Sequence, residues 1–262
     1  MKRNGRVITM NCKDDLIAVF DSGVGGLSVL RHLVRLLPGE NFLYYGDSAN
    51  APYGTRPRQE VRELTFAVAE KLLPRGLKAL VVACNTATSA AIDALRSAYP
   101  DLIIVGIEPA LKLADDRFPG GRIGVMATPM TLREEKFSSL LRRYADHDTV
   151  YRIPAPGLVE LVETGRGNSP EAEALLRPLL EPYRHRLDAL VLGCTHYPFA
   201  SRAIARILPE VPQMDGGEGT ARETRRRLTE AGLLREGPGS VTVENSAEDP
   251  ALTALSLQLL NS

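Results

Sequence analysis

The segment Leu77-Lys78-Ala79-Leu80-Val81-Val82-Ala83-Cys84-Asn85-Thr86 returns as Leu187-Asp188-Ala189-Leu190-Val191-Leu192-Gly193-Cys194-Thr195-His196, at an offset of 110 residues throughout. Each copy is an apolar run closed by a small residue, a cysteine and side chains that hydrogen-bond. A short apolar run with polar flanks reads as a strand buried on both faces. A chain that uses this device twice is constrained to two related halves, each with a buried strand ending in a thiol. A length of 262 residues with 44% hydrophobic content is enough for two modest cores.

The rest of the chain alternates in the same way. Apolar runs at 16–20, 41–45, 79–83, 102–105, 123–126, 149–153 and 189–193 are separated by amphipathic stretches at 27–37, 58–73, 86–99, 132–144, 170–185 and 200–208. Strand followed by helix, repeated, predicts an α/β protein of two similar lobes, each a mainly parallel sheet flanked by helices. Ile17-Ala18-Val19-Phe20-Asp21 opens the first half much as Ile123-Gly124-Val125-Met126-Ala127 opens the second. Crossovers near 106–109 and 212–217 divide the chain into a first lobe of residues 1–106 with 213–262, carrying Cys84, and a second lobe of 107–212, carrying Cys194. Ligands in such sheets bind beyond the carboxyl ends of the strands, which places the site in the cleft between lobes. Asn85-Thr86 and Pro198 suit the starts of helices, so both thiols are expected near helix N-termini.

Charge excludes some partners. The 32 basic and 32 acidic residues give no global field for nucleic acid or an anionic membrane. Arg222, Arg225, Arg226 and Arg227 lie with Glu223 on a helical stretch and read as a solvated face. The leader 1–11 is polar and basic, and no run approaches the ~18 apolar residues of a membrane span, so a cytoplasmic protein is expected. Three widely spaced cysteines do not make a disulfide framework, and Cys12 reads as a bystander.

Three constellations bear chemistry. Asp21-Ser22-Gly23-Val24-Gly25-Gly26-Leu27-Ser28 joins a strand to a helix, but Ser28 stands where a dinucleotide fingerprint needs its third glycine, so no nucleotide cofactor is expected. Tyr45-Gly46-Asp47-Ser48-Ala49-Asn50-Ala51-Pro52-Tyr53-Gly54 is a polar loop suited to a small ligand or to local turn hydrogen bonds. The third is the cysteine pair. Cys84, Cys194 and His196 offer soft metal ligands, but there is no C-x-x-C pair and no fourth ligand in sight, so no metal is expected. Redox chemistry lacks an adjacent dithiol, and Cys194–His196 hydrolysis leaves Cys84 without a task. What remains is proton transfer by both thiols. Racemisation removes an α-proton from one face of a carbon and supplies another to the opposite face, which calls for two equivalent acid/base groups. Asp21 would then partner Cys84, and His196 would assist Cys194 or polarise a substrate carboxylate.

These motifs resemble the cofactor-independent aspartate/glutamate racemases, glutamate racemase in particular. The resemblance also runs through Cys84-Asn85-Thr86-Ala87-Thr88-Ser89, Gly106-Ile107-Glu108-Pro109-Ala110, Pro156-Gly157-Leu158-Val159-Glu160 and Leu192-Gly193-Cys194-Thr195-His196-Tyr197-Pro198. It implies a two-lobed cytoplasmic enzyme that interconverts L- and D-glutamate without cofactor or metal and supplies D-glutamate for peptidoglycan. Cys84 and Cys194 would be the acid/base pair, with Asp21 and His196 beside them. Asp21, Ser22, Tyr53, Gly54, Asn85, Thr86, Thr128, Thr195 and His196 would bind the substrate. An acidic residue near Cys194 is implied, and Glu160 and Glu163 both fit its spacing. A homodimer is compatible with the resemblance, and a partner beyond glutamate, whether nucleic acid or membrane, is not expected. The chain departs from the family pattern at Gly216, where many relatives carry serine, and over 241–246. An aspartate or related amino-acid racemase, or a non-catalytic amino-acid-binding module, are the competing readings.

Overall fold

A computed structural model describes residues 12–133, 138, 139, 142 and 148–261, with the backbone of 2, 3, 6 and 7. The longer strands are β1 (Leu16–Asp21), β2 (Asn41–Gly46), β3 (Leu77–Val82), β4 (Ile103–Gly106), β5 (Arg122–Ala127), β6 (Thr149–Pro154), β7 (Ala189–Leu192), β8 (Gln213–Asp215) and β9 (Ser240–Asn245). They form a five-stranded sheet in the order β9-β2-β1-β3-β4 and a four-stranded sheet in the order β8-β7-β5-β6. Every pairing in both sheets is parallel. Apolar clusters line both faces of each sheet, as parallel strands require.

β3 illustrates why a buried strand can hold a lysine. All six of its residues are buried, Lys78 included. The Lys78 ammonium sits 2.5 Å from Glu40 Oε2 and donates to the Leu233 carbonyl at 3.0 Å. A buried charge needs such a partner and further hydrogen bonds. The pair also ties the C-terminal return of the chain to the first sheet, since Glu40 Oε1 accepts from the Arg235 amide at 3.0 Å.

The helices are α1 (Leu27–Leu36), α2 (Arg58–Leu72), α3 (Asn85–Ala98), α4 (Leu111–Arg117), α5 (Pro129–Arg133), α6 (Leu158–Glu163), α7 (Pro170–Leu180), α8 (Ser201–Ile207), α9 (Gly217–Glu230) and α10 (Pro250–Leu260). Of the helix expected over 132–144, the first two residues fall in α5, which runs Pro129–Arg133, and most of the rest lies outside the described residues, as does most of the leader 1–11. Among the described residues no helix is long and apolar enough to cross a membrane.

β8 pairs with β7 in the second sheet, so the return crossing falls after Asp215, within the 212–217 stretch. α9 then packs on α1 and β4 of the first lobe. The sequence hides this because β8 has only three residues, too few for a period to register. The thiols also differ in their helices. Cys84 is itself the N-cap of the 14-residue α3, with Asn85 its first helical residue. Cys194 precedes only a 3-10 turn, Tyr197–Ala200, and then the seven-residue α8.

The two chain crossings between lobes touch. A Cβ at Gly216 would overlap the Glu108 carbonyl oxygen, so the second crossing packs backbone to backbone on the first.

Candidate active site

The carboxyl ends of the two sheets face each other, and polar side chains join them. Thr195 Oγ1 donates to Asp21 Oδ2 at 2.9 Å, and Ser28 Oγ lies 2.9 Å from the Thr195 carbonyl oxygen. The Val24 amide donates to Glu163 Oε1 at 2.7 Å. Gly23 and Gly25 are where the close approach occurs. A Cβ on Gly23 would collide with the Glu163 carboxylate, and one on Gly25 with the His196 ring and Thr195 Oγ1. The glycines of this loop therefore make room for side chains of the opposite lobe.

All three cysteines are free, Cys12 exposed and the other two buried. Cys84 follows β3, accepts from the Ala87 amide at 3.4 Å and donates to Ser22 Oγ at 3.5 Å. Burial pushes its thiol up to about 12, with the Asp21 charge adding to the rise and the Ala87 amide opposing it. The charge of Cys194 is a further contribution, so the two thiols lie within each other's field. Asp21, fully buried at the end of β1, accepts from the Gly23 amide at 3.0 Å as well as from Thr195. Burial raises its carboxyl to about 6, against the pull of the His196 charge and these hydrogen bonds.

Cys194 has different company. Its sulfur lies 3.7 Å from His196 Nδ1, while His196 Nε2 lies 2.6 Å from Glu163 Oε1. Burial alone would push the imidazole down. Its hydrogen bonds to Cys194 and Glu163, with their charges, outweigh burial and hold it well above the usual histidine range. Glu163, at the end of α6, is thus the acidic residue beside the second thiol. Glu160 is exposed. One helical turn separates the two, and only the docking of α6 against the glycine loop distinguishes them.

The remaining candidates fall into two groups. Thr86, Thr128 and Thr131 bring three buried hydroxyls together, Thr86 at 3.4 Å from each of the others and Thr128 at 3.0 Å from Thr131. Thr131 was not among the sequence candidates, although its position three residues after Thr128 at a helix start was a legible signal. Asn85 is buried with Oδ1 lacking a protein partner, an acceptor left for a ligand. Gly54 packs against Thr128, where a Cβ would stand 2.8 Å from its side chain. Tyr53 is buried beside them, but its hydroxyl donates to Asp47 Oδ2 at 2.6 Å. Its phenol therefore serves the loop, and only its ring and backbone are left to face a ligand. Asp47 is further held by Asn50 Nδ2 at 3.1 Å.

This constellation offers two buried thiols with unlike partners, a carboxylate, an imidazole held charged, and a cluster of hydroxyls suited to a substrate carboxylate. Among the described residues no group of three or more His, Cys, Asp or Glu side chains is placed to hold a metal ion.

The family model for Asp/Glu/Hydantoin racemase matches residues 17–224. A glutamate racemase from Clostridium acetobutylicum is 49% identical over 255 residues, which is 96% of this chain and 100% of that protein. The crystal structure of glutamate racemase from Thermus thermophilus in complex with β-chloro-D-alanine superposes with a TM-score of 0.82 at 41% identity, covering 95% of this chain and 94% of that one. The glutamate racemase of Francisella tularensis in complex with D-glutamate gives a TM-score of 0.84 at 26% identity, covering 95% of both chains. Two parallel sheets meeting at paired cysteine loops, with this likeness over nearly the whole length, make the chain a member of the Asp/Glu/Hydantoin racemase family.

Proposed function

We propose that the chain interconverts L- and D-glutamate without a cofactor, with Cys84 and Cys194 as the two acid/base groups, and that it supplies D-glutamate for peptidoglycan. The observation that carries this reading is the pair of buried thiols that follow β3 and β7, close enough for the charge of one to act on the other and each beside its own ionisable neighbour. The relatives named glutamate racemase and the D-glutamate complex at the same fold support the choice of substrate.

In this mechanism one cysteine, as thiolate, removes the α-hydrogen of glutamate as a proton. The electron pair left on carbon is delocalised into the α-carboxylate. The other cysteine, as thiol, delivers its proton to the opposite face and becomes the thiolate. A turnover thus inverts the carbon and exchanges the protonation states of the two sulfurs. The hydroxyls of Thr86 and Thr128, the Asn85 Nδ2 group and the Thr195 backbone amide hold the carboxylates and stabilise the charge that develops there, where pre-placed donors are most effective. A thiol pushed to about 12 needs help to ionise. The substrate ammonium, entering beside Asp21, supplies the opposite charge that lowers the energy of both Asp21 and a Cys84 thiolate.

Cys84→Ala and Cys194→Ala should each reduce racemisation by at least ~10³-fold with the fold retained, as followed by decay of the circular dichroism of L-glutamate. Parental rates in either variant would overturn the two-thiol assignment. Faster decay of L-aspartate than of L-glutamate would overturn the substrate. Glutamate recovered from deuterium oxide without deuterium at its α-carbon would replace the enzyme by a binding module.

A further inference from the structure

Asn245 ends β9, in the C-terminal stretch that departs from the family pattern, and Ser48 lies in the loop after β2. Neither has a role in the reading above. The Asn245 amide has a fixed orientation, because Oδ1 accepts from the Ala247 amide at 2.9 Å. Its Nδ2 therefore turns to Ser48 Oγ, 2.8 Å away. With that lone pair filled, the hydroxyl hydrogen of Ser48 is directed elsewhere, and Oγ donates it to Glu163 Oε2, 3.4 Å from Oγ. The other carboxylate oxygen, Oε1, takes the Val24 amide at 2.7 Å and His196 Nε2 at 2.6 Å. His196 Nδ1 then faces Cys194. The turn carrying Ser48 is itself pinned from the C-terminal strand. Ser246 Oγ accepts from the Ala49 amide at 2.9 Å, and the Ser246 amide donates to the Gly46 carbonyl at 2.9 Å.

We infer that Asn245 and Ser48 are positioning residues for the Cys194 half of the site, through a polar chain that runs Asn245, Ser48, Glu163, His196, Cys194 and crosses from the first lobe to the second. The physical need is plain. The terminal torsion of a glutamate is broad and nearly two-fold, so a carboxylate gripped through one oxygen can still turn. A donor on the second oxygen fixes its plane, and with it the direction in which Oε1 meets the imidazole. Cys84 stands on other supports, Ser22 Oγ and the Ala87 amide. The effect of breaking the chain is therefore one-sided.

The inference rests on the two-thiol reading and is tested in the full chain with L- and D-glutamate deuterated at the α-carbon. Ser48→Ala removes the hydroxyl. Asn245→Asp keeps the contact with the Ala247 amide but replaces the donor by an acceptor, which draws the single Ser48 hydrogen away from Glu163. Each should lower kcat by about fivefold, the size expected for one hydrogen bond. The primary isotope effect should rise for the enantiomer whose α-hydrogen Cys194 removes and fall for its mirror image. His196→Asn should give the same rise for the one enantiomer and fall for the other, and Ser48→Thr should retain the parental values. Isotope effects that move equally for the two enantiomers, or rates within twofold of parental in both variants, would overturn the positioning role. Cys84→Ala and Cys194→Ala are measured in parallel. Racemisation persisting in them overturns the two-thiol reading itself, whereas its loss beside symmetrical effects in Ser48→Ala overturns only the positioning role.

Discussion

The two thiol loops begin as copies and end in unlike surroundings. Cys84 caps a long helix and sits under the field of a buried carboxylate, which adds to the burial that pushes it to about 12. Cys194 leads into a 3-10 turn and faces an imidazole held above its usual range by its hydrogen bonds to Cys194 itself and to Glu163. Duplication of a backbone fixes where two groups stand. The partners recruited from neighbouring elements fix what each can do. Asp21 brings a lone carboxylate to the first thiol, whereas the second faces an imidazole that is itself backed by the Glu163 carboxylate. A racemase must serve two mirror-image substrates, and unlike supports on its two faces give it separate control of each.

The sharpest way to break that comparison is to remove the partners one at a time. Asp21→Asn and His196→Asn should each lower kcat/KM by about 10³-fold, near the middle of the range for a group that assists proton transfer. The parental enzyme should lose kcat/KM as pH falls through about 6, where Asp21 takes up a proton, and the residual activity of Asp21→Asn should lack that limb. A limb near the same pH in Asp21→Asn would assign it elsewhere.

The same substitution tests the comparison through stability. The folded state raises Asp21 from 3.8 to about 6, so the stability associated with its protonated form is complete below 3.8 and lost as pH rises through about 6. The ionised carboxylate then costs about 3 kcal/mol at neutral pH. Asp21→Asn should accordingly be more stable than the parent at pH 8 and about equal to it near pH 4, measured by urea unfolding. Equal stability at pH 8 would mean that Asp21 is better solvated than its burial indicates.

A smaller effect sharpens the role of the loop between the two halves. Gly25→Ala puts a methyl group against the His196 ring and Thr195, which belong to the Cys194 side. It should lower kcat by about 10²-fold, the scale of a misplacement of about 1 Å in catalytic groups. The Cys84 side, whose partners lie within the first lobe, should keep its slow alkylation at pH 8. Rapid labelling of Cys84 in this variant would show that the loop governs both halves.

Much of this was written in single segments of the chain. The apolar runs ending at Cys84 and Cys194 announce buried parallel strands, and the strand–helix alternation announces two lobes. What escaped the sequence depends on how distant segments dock. Glu160 and Glu163 are equivalent by spacing, and only the packing of α6 on Gly23 and Val24 makes Glu163 the neighbour of His196. Tyr53 was a candidate for binding substrate, but nothing in its own segment shows that its hydroxyl is taken by Asp47, six residues earlier. β8 was too short to be assigned to either sheet from its own residues, and Gln213 pairs with Leu190 only because β7 offers an open edge. The glycines of the first loop were legible as a point of close approach, but what approaches is the other lobe.

The contact of Gly216 with the Glu108 carbonyl has a mechanical consequence. Two separate linkers would let the lobes slide as well as tilt. Here backbone is pressed on backbone, and no room for a side chain remains between the crossings. A serine at Gly216 would drive its Cβ into the Glu108 carbonyl oxygen, so one crossing would have to shift on the other. The spacing of the two chain passages between lobes is thus set by the absence of one side chain, remote from the thiols.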